Sequence, residues 1–252
     1  MRLVAFDLDD TLAPSKSPLP AAMAGRLVEL LGEVPVCVIS GGQFGQFRLQ
    51  LVDGLPGGVD LAALHLMPTC GTQYWRHDGD DWAAQYAENL GDEQKTAALA
   101  AVEEEARRLD LWEEGRTETW GPILEDRGSQ ITFSALGQAA PVEAKKAWDR
   151  TGEKKNALRA AVQERLPELE VRSGGSTSVD ITRRGIDKAY GMRKLAELTG
   201  IPLEQMLFVG DRLDPDGNDY PVKQLGVACV AVEGWPQTAD WIAGFVAARR
   251  AA

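Results

Sequence analysis

Short apolar runs alternate with amphipathic stretches at both ends of the chain. "RLVAF" (2–6), "VPVCVIS" (34–40), "QMLFVGD" (205–211) and "GVACVAV" (226–232) are β-rich and apolar without alternation. That is the pattern of strands covered on both faces. "AAMAGRLVELLG" (21–32) and "GIDKAYGMRKLAELTG" (185–200) carry helical spacing instead. Buried strands alternating with helices predict a parallel α/β sheet. The middle of the chain reads differently. "EQKTAALAAVEEEARRLDLW" (93–112) predicts a helix with Leu99, Val102, Ala106 and Leu109 on its apolar face. "SQITFSA" (129–135) alternates Ile131, Phe133 and Ala135 against Gln130, Thr132 and Ser134, and "GSTSVDIT" (175–182) alternates as well. These segments predict a small α+β unit with one sheet face covered and the other open. The division that follows is a discontinuous α/β core at 1–80 and 187–252, with an inserted α+β domain at 81–186.

Three predicted strands end in polar motifs: "FDLDDT" after the first, "SGGQ" after the second and "GDRLDPDGND" after a later one. Functional groups in a parallel sheet gather beyond the carboxyl ends of its strands. Such a sheet would assemble Asp7, Asp9, Ser40 and Asp211 in one place. Close-packed carboxylates repel and resist desolvation unless a cation compensates them. Oxygen ligands of this kind suit Mg2+, which takes a few carboxylates together with water and substrate phosphate. One aspartate is then placed to attack phosphorus, and its neighbour two positions on, Asp9, to protonate the leaving oxygen and activate the acceptor. Ser40 and a lysine would hold the phosphoryl oxygens. Lys188 is the best candidate for that lysine. Asp187 reads as a helix N-cap, so Lys188 falls in the first helical turn, where a cation opposes the helix dipole.

Composition narrows the partners. The net charge is −11, which argues against nucleic acid or an anionic membrane surface as a partner but leaves room for a small anionic substrate. No apolar run is long enough to span a bilayer, and the N-terminus does not read as a secretory signal, so a cytoplasmic enzyme is expected. Cys37 and Cys229 lie in apolar runs and are expected in the core. The spacing of the three cysteines fits neither a zinc site nor a disulfide framework. With only His65 and His77 present, neither in a triad-like context, histidine catalysis is not expected.

"DLDDT", "VISGG", Lys188 and "GDRLDPDGND" resemble, in order, the four motifs of the haloacid dehalogenase (HAD) superfamily. The long insertion between the second and third motifs resembles its type IIB (C2B) cap subclass. "RGSQITFSALG" (127–137), "GGSTSVDITRRGIDKAYGMRKL" (174–195) and "FVGDRLDPDGNDYPVKQLGV" (208–227) resemble eukaryotic-type phosphomannomutases more narrowly. The resemblance implies a Rossmann-like core, a mobile α+β cap, Mg2+ and a hexose phosphate held between core and cap. It implies that Asp7 is the nucleophile and Asp9 the acid/base. Asp211 matches a metal ligand, and the metal set it suggests is Asp7, Asp9, Asp211 and Asp219. Arg127, Ser178 and Asp180 match substrate-holding residues of the cap. Ser178 and Asp180 also project from one face of a predicted strand, where a hydroxyl and a carboxylate suit sugar hydroxyls.

The chain departs from the mutases where several arginines would grip a second phosphate. Lys16, Gln138 and Lys145 stand at those places, and neither lysine nor glutamine offers the planar guanidinium fork. Asp10 replaces a glycine usual in the mutases. The expected activity is therefore a Mg2+-dependent sugar-phosphate phosphohydrolase, with a hexose phosphate mutase as the alternative. A non-catalytic sugar-phosphate-binding module is a third reading, disfavoured because Asp7 and Asp9 are both present. A homodimer is left open.

Overall fold

The computed structural model describes residues 1–115, 118–175 and 177–251. In chain order its elements are β1 (Leu3–Phe6), α1 (Ala21–Leu31), β2 (Val36–Ile39), α2 (Phe44–Gln50), β3 (Leu64–Met67), β4 (Gln73–His77) and β5 (Trp82–Ala87). There follow α3 (Asp92–Arg108), β6 (Leu124–Asp126), β7 (Gln130–Ser134), α4 (Val142–Trp148), α5 (Glu153–Arg165), β8 (Leu169–Ser173) and β9 (Ser178–Arg183). The chain ends with α6 (Lys188–Thr199), β10 (Met206–Gly210), α7 (Tyr220–Gln224), β11 (Ala228–Ala231) and α8 (Trp235–Arg250).

Two compact units result, Met1–Ala87 with Ile186–Ala252, and Glu88–Gly185. The first holds a seven-stranded sheet in the order β11-β10-β1-β2-β3-β4-β5. Its first five strands run parallel, β4 pairs antiparallel with β3, and β5 antiparallel with β4. β1, β2 and β3 are buried throughout, as the unbroken apolar runs of β1 and β2 require. α1 and α8 cover one face with Met23, Leu27, Leu30, Ile242 and Val246, and α6 covers the other with Met192 and Leu195. This is a mixed α/β, Rossmann-like sheet dominated by parallel pairs. The unit extends past the expected boundary at 80, because "WAAQYA" pairs as β5 along β4 and completes this sheet. Cys37 is buried as expected, whereas Cys229 is only half-buried, because β11 is an edge strand.

The second unit is an antiparallel sheet, β6-β7-β9-β8. Ile131, Phe133, Val171, Val179 and Ile181 pack with Val102 and Ala106 of α3 and Leu158 and Val162 of α5. Two expectations fail here. α3 stops at Arg108 instead of 112, because Asp110 turns left-handed (φ 61°) and the Leu111 N–H closes on the Ala106 carbonyl at 2.8 Å. That turn folds Leu111 and Trp112 back into the core. Moreover, the polar face of β7 is not open: Gln130, Thr132 and Ser134 are all buried. Their short side chains lie in an inner strand, in cross-strand rows with longer charged residues such as Glu125, Asp180 and Arg172.

Candidate active site

Parallel register sets the geometry of the first unit. Phe6 pairs with both Val38 and Val209, so Asp7, Ser40 and Asp211 all emerge at the same sheet edge. The Asp7 N–H donates to the Val209 carbonyl at 3.0 Å, which continues the ladder by one residue past β1. α6 delivers Lys188 to this edge. Asp187 caps the helix, its Oδ1 accepting the Tyr190 N–H at 2.8 Å, as its sequence position predicts. Close packing seats the helix: a Cβ at Gly191 would lie 2.8 Å from the Cys70 carbonyl oxygen.

Lys188 is only 1 % exposed, and its Nζ lies 2.6 Å from Asp7 Oδ1 and 2.6 Å from Asp219 Oδ1. Asp219, fully buried, also accepts the Arg212 N–H at Oδ2, 3.1 Å away. Gly210 leaves room for it, since a Cβ there would clash with Asp219 Oδ2. Asp211 is less enclosed and accepts the Thr11 hydroxyl at 3.2 Å. Ser40 is buried at the end of β2, its Oγ accepting the Gly42 N–H at 3.3 Å.

Several acids share one ammonium. Burial pushes the Asp7 carboxyl well above its ordinary range, against the pull of Lys188, and Asp219 and Asp211 push it further. Burial and Asp219 likewise raise Asp211. Burial disfavours the Lys188 charge, but Asp219 and Asp7 together hold its ammonium protonated above the usual lysine range. In this arrangement Lys188 clamps the aspartates. Asp7, Asp211 and Asp219 can each present an oxygen within 4.8 Å of the others. An all-oxygen set with negative charge in excess of its one lysine has the donor chemistry of a hard divalent cation.

Asp9 is not part of that group. Both of its carboxylate oxygens are turned to other donors instead. Oδ1 accepts the Lys16 N–H at 2.7 Å and Gln50 Nε2 at 2.9 Å, while Oδ2 accepts Lys16 Nζ at 2.9 Å. Burial alone would raise Asp9, but the Lys16 ammonium, the Lys16 amide and Gln50 outweigh it and hold the carboxyl below its ordinary range. Lys16 takes a left-handed backbone (φ 56°), which brings its N–H and its ammonium to the same carboxylate.

In the second unit Arg127 is buried, and its Nε and Nη2 both donate to Glu125 Oε2, at 2.9 and 2.6 Å. Asp180 accepts the Thr132 hydroxyl at 2.8 Å, and Ser178 lies opposite Ser134. Lys145 Nζ donates to the Gln138 carbonyl at 2.7 Å. All five residues named from the sequence thus lie in this unit. The charges of Arg127 and Lys145 are engaged by the chain itself.

A haloacid dehalogenase-like hydrolase family model matches residues 142–234. Phosphomannomutase from Saccharomyces cerevisiae is 26% identical over 227 residues, 87% of this chain and 84% of the yeast protein. That of Encephalitozoon cuniculi is 24% identical over 222 residues, 86% of this chain and 82% of its own. Among solved structures, a haloacid dehalogenase-like hydrolase from Bacteroides thetaiotaomicron superposes with a TM-score of 0.66 at 15% identity, covering 97% of this chain and 99% of that one. The chain is HAD-like by this match and phosphomannomutase-like by these relatives.

Together these likenesses support an enzyme of the phosphatase or phosphotransferase type. The superfamily generally uses Mg2+, in keeping with the acidic group around Asp7. Sequence reasoning missed three contributors to the first unit's site, Thr11, Gln46 and Gln50, and, in the second unit, the Glu125 that engages Arg127. Gln50 left a trace, as a polar residue in the same short helix as Phe47 and just before Leu51, both fully buried. Glu125 left only its two-residue spacing from Arg127, the same-face spacing of an extended chain.

Proposed function

We propose that this HAD enzyme is a Mg2+-dependent phosphohydrolase that cleaves a sugar phosphate through a phosphoaspartate at Asp7. The observation that carries the reading is the buried Asp7 carboxylate, clamped by Lys188 at the C-terminal edge of the parallel sheet. Asp7 attacks phosphorus and the P–O bond to the sugar breaks, the leaving oxygen taking a proton from Asp9. Water then attacks the phosphorus of the acyl phosphate and gives a proton to Asp9, and inorganic phosphate departs with Asp7 restored. Lys188 keeps Asp7 oriented throughout, and the Ser40 hydroxyl steadies a phosphoryl oxygen. Asp9 is held as a carboxylate by Lys16, so Lys16 must turn to the incoming phosphate before Asp9 carries a proton. Bound by Asp7 and Asp211, with Asp219 behind them, Mg2+ would neutralise charge on the phosphoryl group.

Arg127, Ser178 and Asp180 recognise the sugar in this reading, together with Gln138 and Lys145. A phosphohexomutase must also grip a second phosphate. Arg127 is engaged by Glu125 and Lys145 by the Gln138 carbonyl, which favours hydrolysis over retention of a bisphosphate. The mutase is the second reading, favoured by the relatives that bear that name. No helix among the described residues is long and apolar enough to cross a membrane, and a cytoplasmic setting completes the proposal.

The test uses purified protein with Mg2+ and a panel of hexose 1- and 6-phosphates, each with and without a hexose 1,6-bisphosphate. Free phosphate and isomerised sugar phosphate are followed together. Phosphate release without isomerisation, abolished by Asp7→Asn, is expected. Activator-dependent interconversion would replace the hydrolase reading with the mutase.

A further inference from the structure

Gln50 is a buried amide with a specific target. It ends α2, is 3 % exposed, and shares that short helix with the fully buried Phe47. Burying an amide in apolar surroundings is costly unless both of its ends are satisfied. Here they are. Gln46, one turn earlier, donates its Nε2 to Gln50 Oε1 at 3.0 Å, which leaves the Gln50 NH2 to face Asp9 Oδ1 at 2.9 Å. The hydrogen-bond chain therefore determines the orientation of the amide. Gly42 leaves space for the first link, since a Cβ there would lie 2.5 Å from Gln46 Oε1. The Gln50 carbonyl also accepts the Leu19 N–H at 2.7 Å, which ties the end of α2 to the loop that follows β1.

The two oxygens of Asp9 are held differently. Oδ1 has a backbone donor and the buried Gln50 amide, neither of which can leave without moving the fold. Oδ2 has the half-exposed Lys16 ammonium and a long contact to Gln46 Nε2 at 3.4 Å. We propose that Gln50 is a positioning residue that pins Asp9 Oδ1, so that Oδ2 is the oxygen exchanging the proton with the leaving group. Gln46 sets Gln50, and Gln50 sets Asp9. The inference rests on the reading of Asp9 as the group that protonates the leaving oxygen.

Leaving-group dependence tests this, because a poor leaving group needs the proton and a good one does not. In Gln50→Met, kcat/KM for the hexose phosphate that the wild type hydrolyses fastest is expected to fall about 30-fold or more, within the range general acid catalysis supplies. The fall for 4-nitrophenyl phosphate is expected to be at least about ten times smaller, with KM for both esters little changed. Equal losses on the two esters would overturn the positioning role, because a structural defect at Asp7 would harm both alike. Gln46→Ala, at a partly exposed position, should show the same selectivity at smaller amplitude, and it decides the matter if Gln50→Met fails to fold. A wild type that hydrolyses neither ester would instead overturn the phosphohydrolase reading, and this inference with it.

Discussion

Removing the Lys188 ammonium tests the electrostatic logic of the site most directly. Lys188→Met keeps most of the buried volume and deletes the charge that Asp7 and Asp219 share at 2.6 Å each. At an effective dielectric of about 20, each such contact is a gross attraction of roughly 6 kcal/mol, largely offset by desolvation of the ions. Breaking a buried ion pair from one side typically costs about 3–5 kcal/mol, because the surviving charge has no partner. At roughly 2–4 °C per kcal/mol for a chain of this size, the melting temperature should fall by about 6–20 °C at pH 7. The measurement is a thermal melt in a chelating buffer, so that no divalent cation replaces the lysine. The pH dependence has a definite sign. Without Lys188 the folded-state pKa of Asp7 rises further above its unfolded value, so the stability this group contributes is present below about pH 4 and lost as pH rises through the folded value. The deficit of Lys188→Met should therefore narrow as pH falls from 7 towards 4. The double variant Lys188→Met/Asp219→Asn should recover much of the loss. A single variant melting within about 2 °C of wild type, or a double variant no better than the single, would refute the shared-ammonium account.

Three further outcomes are expected. Mg2+ at about 100 times its dissociation constant should stabilise the wild type by about 2.7 kcal/mol, and Asp211→Asn should remove that response; a persistent Mg2+ shift in the variant would exclude Asp211 as a ligand. His65 is held neutral, its pKa lowered to about 3 by burial and the nearby Arg76, so the stability it contributes is present above about pH 6.5 and lost as pH falls towards 3. Its imidazole resonances should not titrate between pH 8 and 5, and an NMR midpoint above 5 would contradict the burial argument. Glu125→Gln should release the Arg127 guanidinium and tighten inhibition by a hexose 1,6-bisphosphate by about tenfold, the scale of one charge-assisted hydrogen bond. An unchanged inhibition constant would show that Arg127 does not face the substrate.

The pattern of apolar runs was enough to read the parallel core, because a strand buried on both faces has little choice but an unbroken apolar sequence, as in Leu3–Phe6 and Val36–Ile39. It was also enough to place Asp7, Ser40 and Asp211 together, since parallel register puts consecutive strand ends at one edge. The N-cap at Asp187 was legible because capping is local. β5 was not: "WAAQYA" joins the core sheet only by pairing with β4, and no local signal distinguishes that from a first strand of the inserted unit. Side-chain direction was equally silent. Asp9 was grouped with its neighbours as a metal ligand, yet the left-handed turn at Lys16 and the distant Gln50 draw its carboxylate away. Arg127 read as a phosphate contact, and its salt bridge to Glu125, two residues back, depends on a side-chain direction the sequence did not show.

Which residues line the site was therefore encoded in local pattern and spacing. Which charge neutralises which was decided by contacts between residues as far apart in sequence as Asp7 and Lys188, or Asp9 and Gln50. Ion pairing and hydrogen bonding act over a few ångströms and depend on direction, and only the folded chain supplies either.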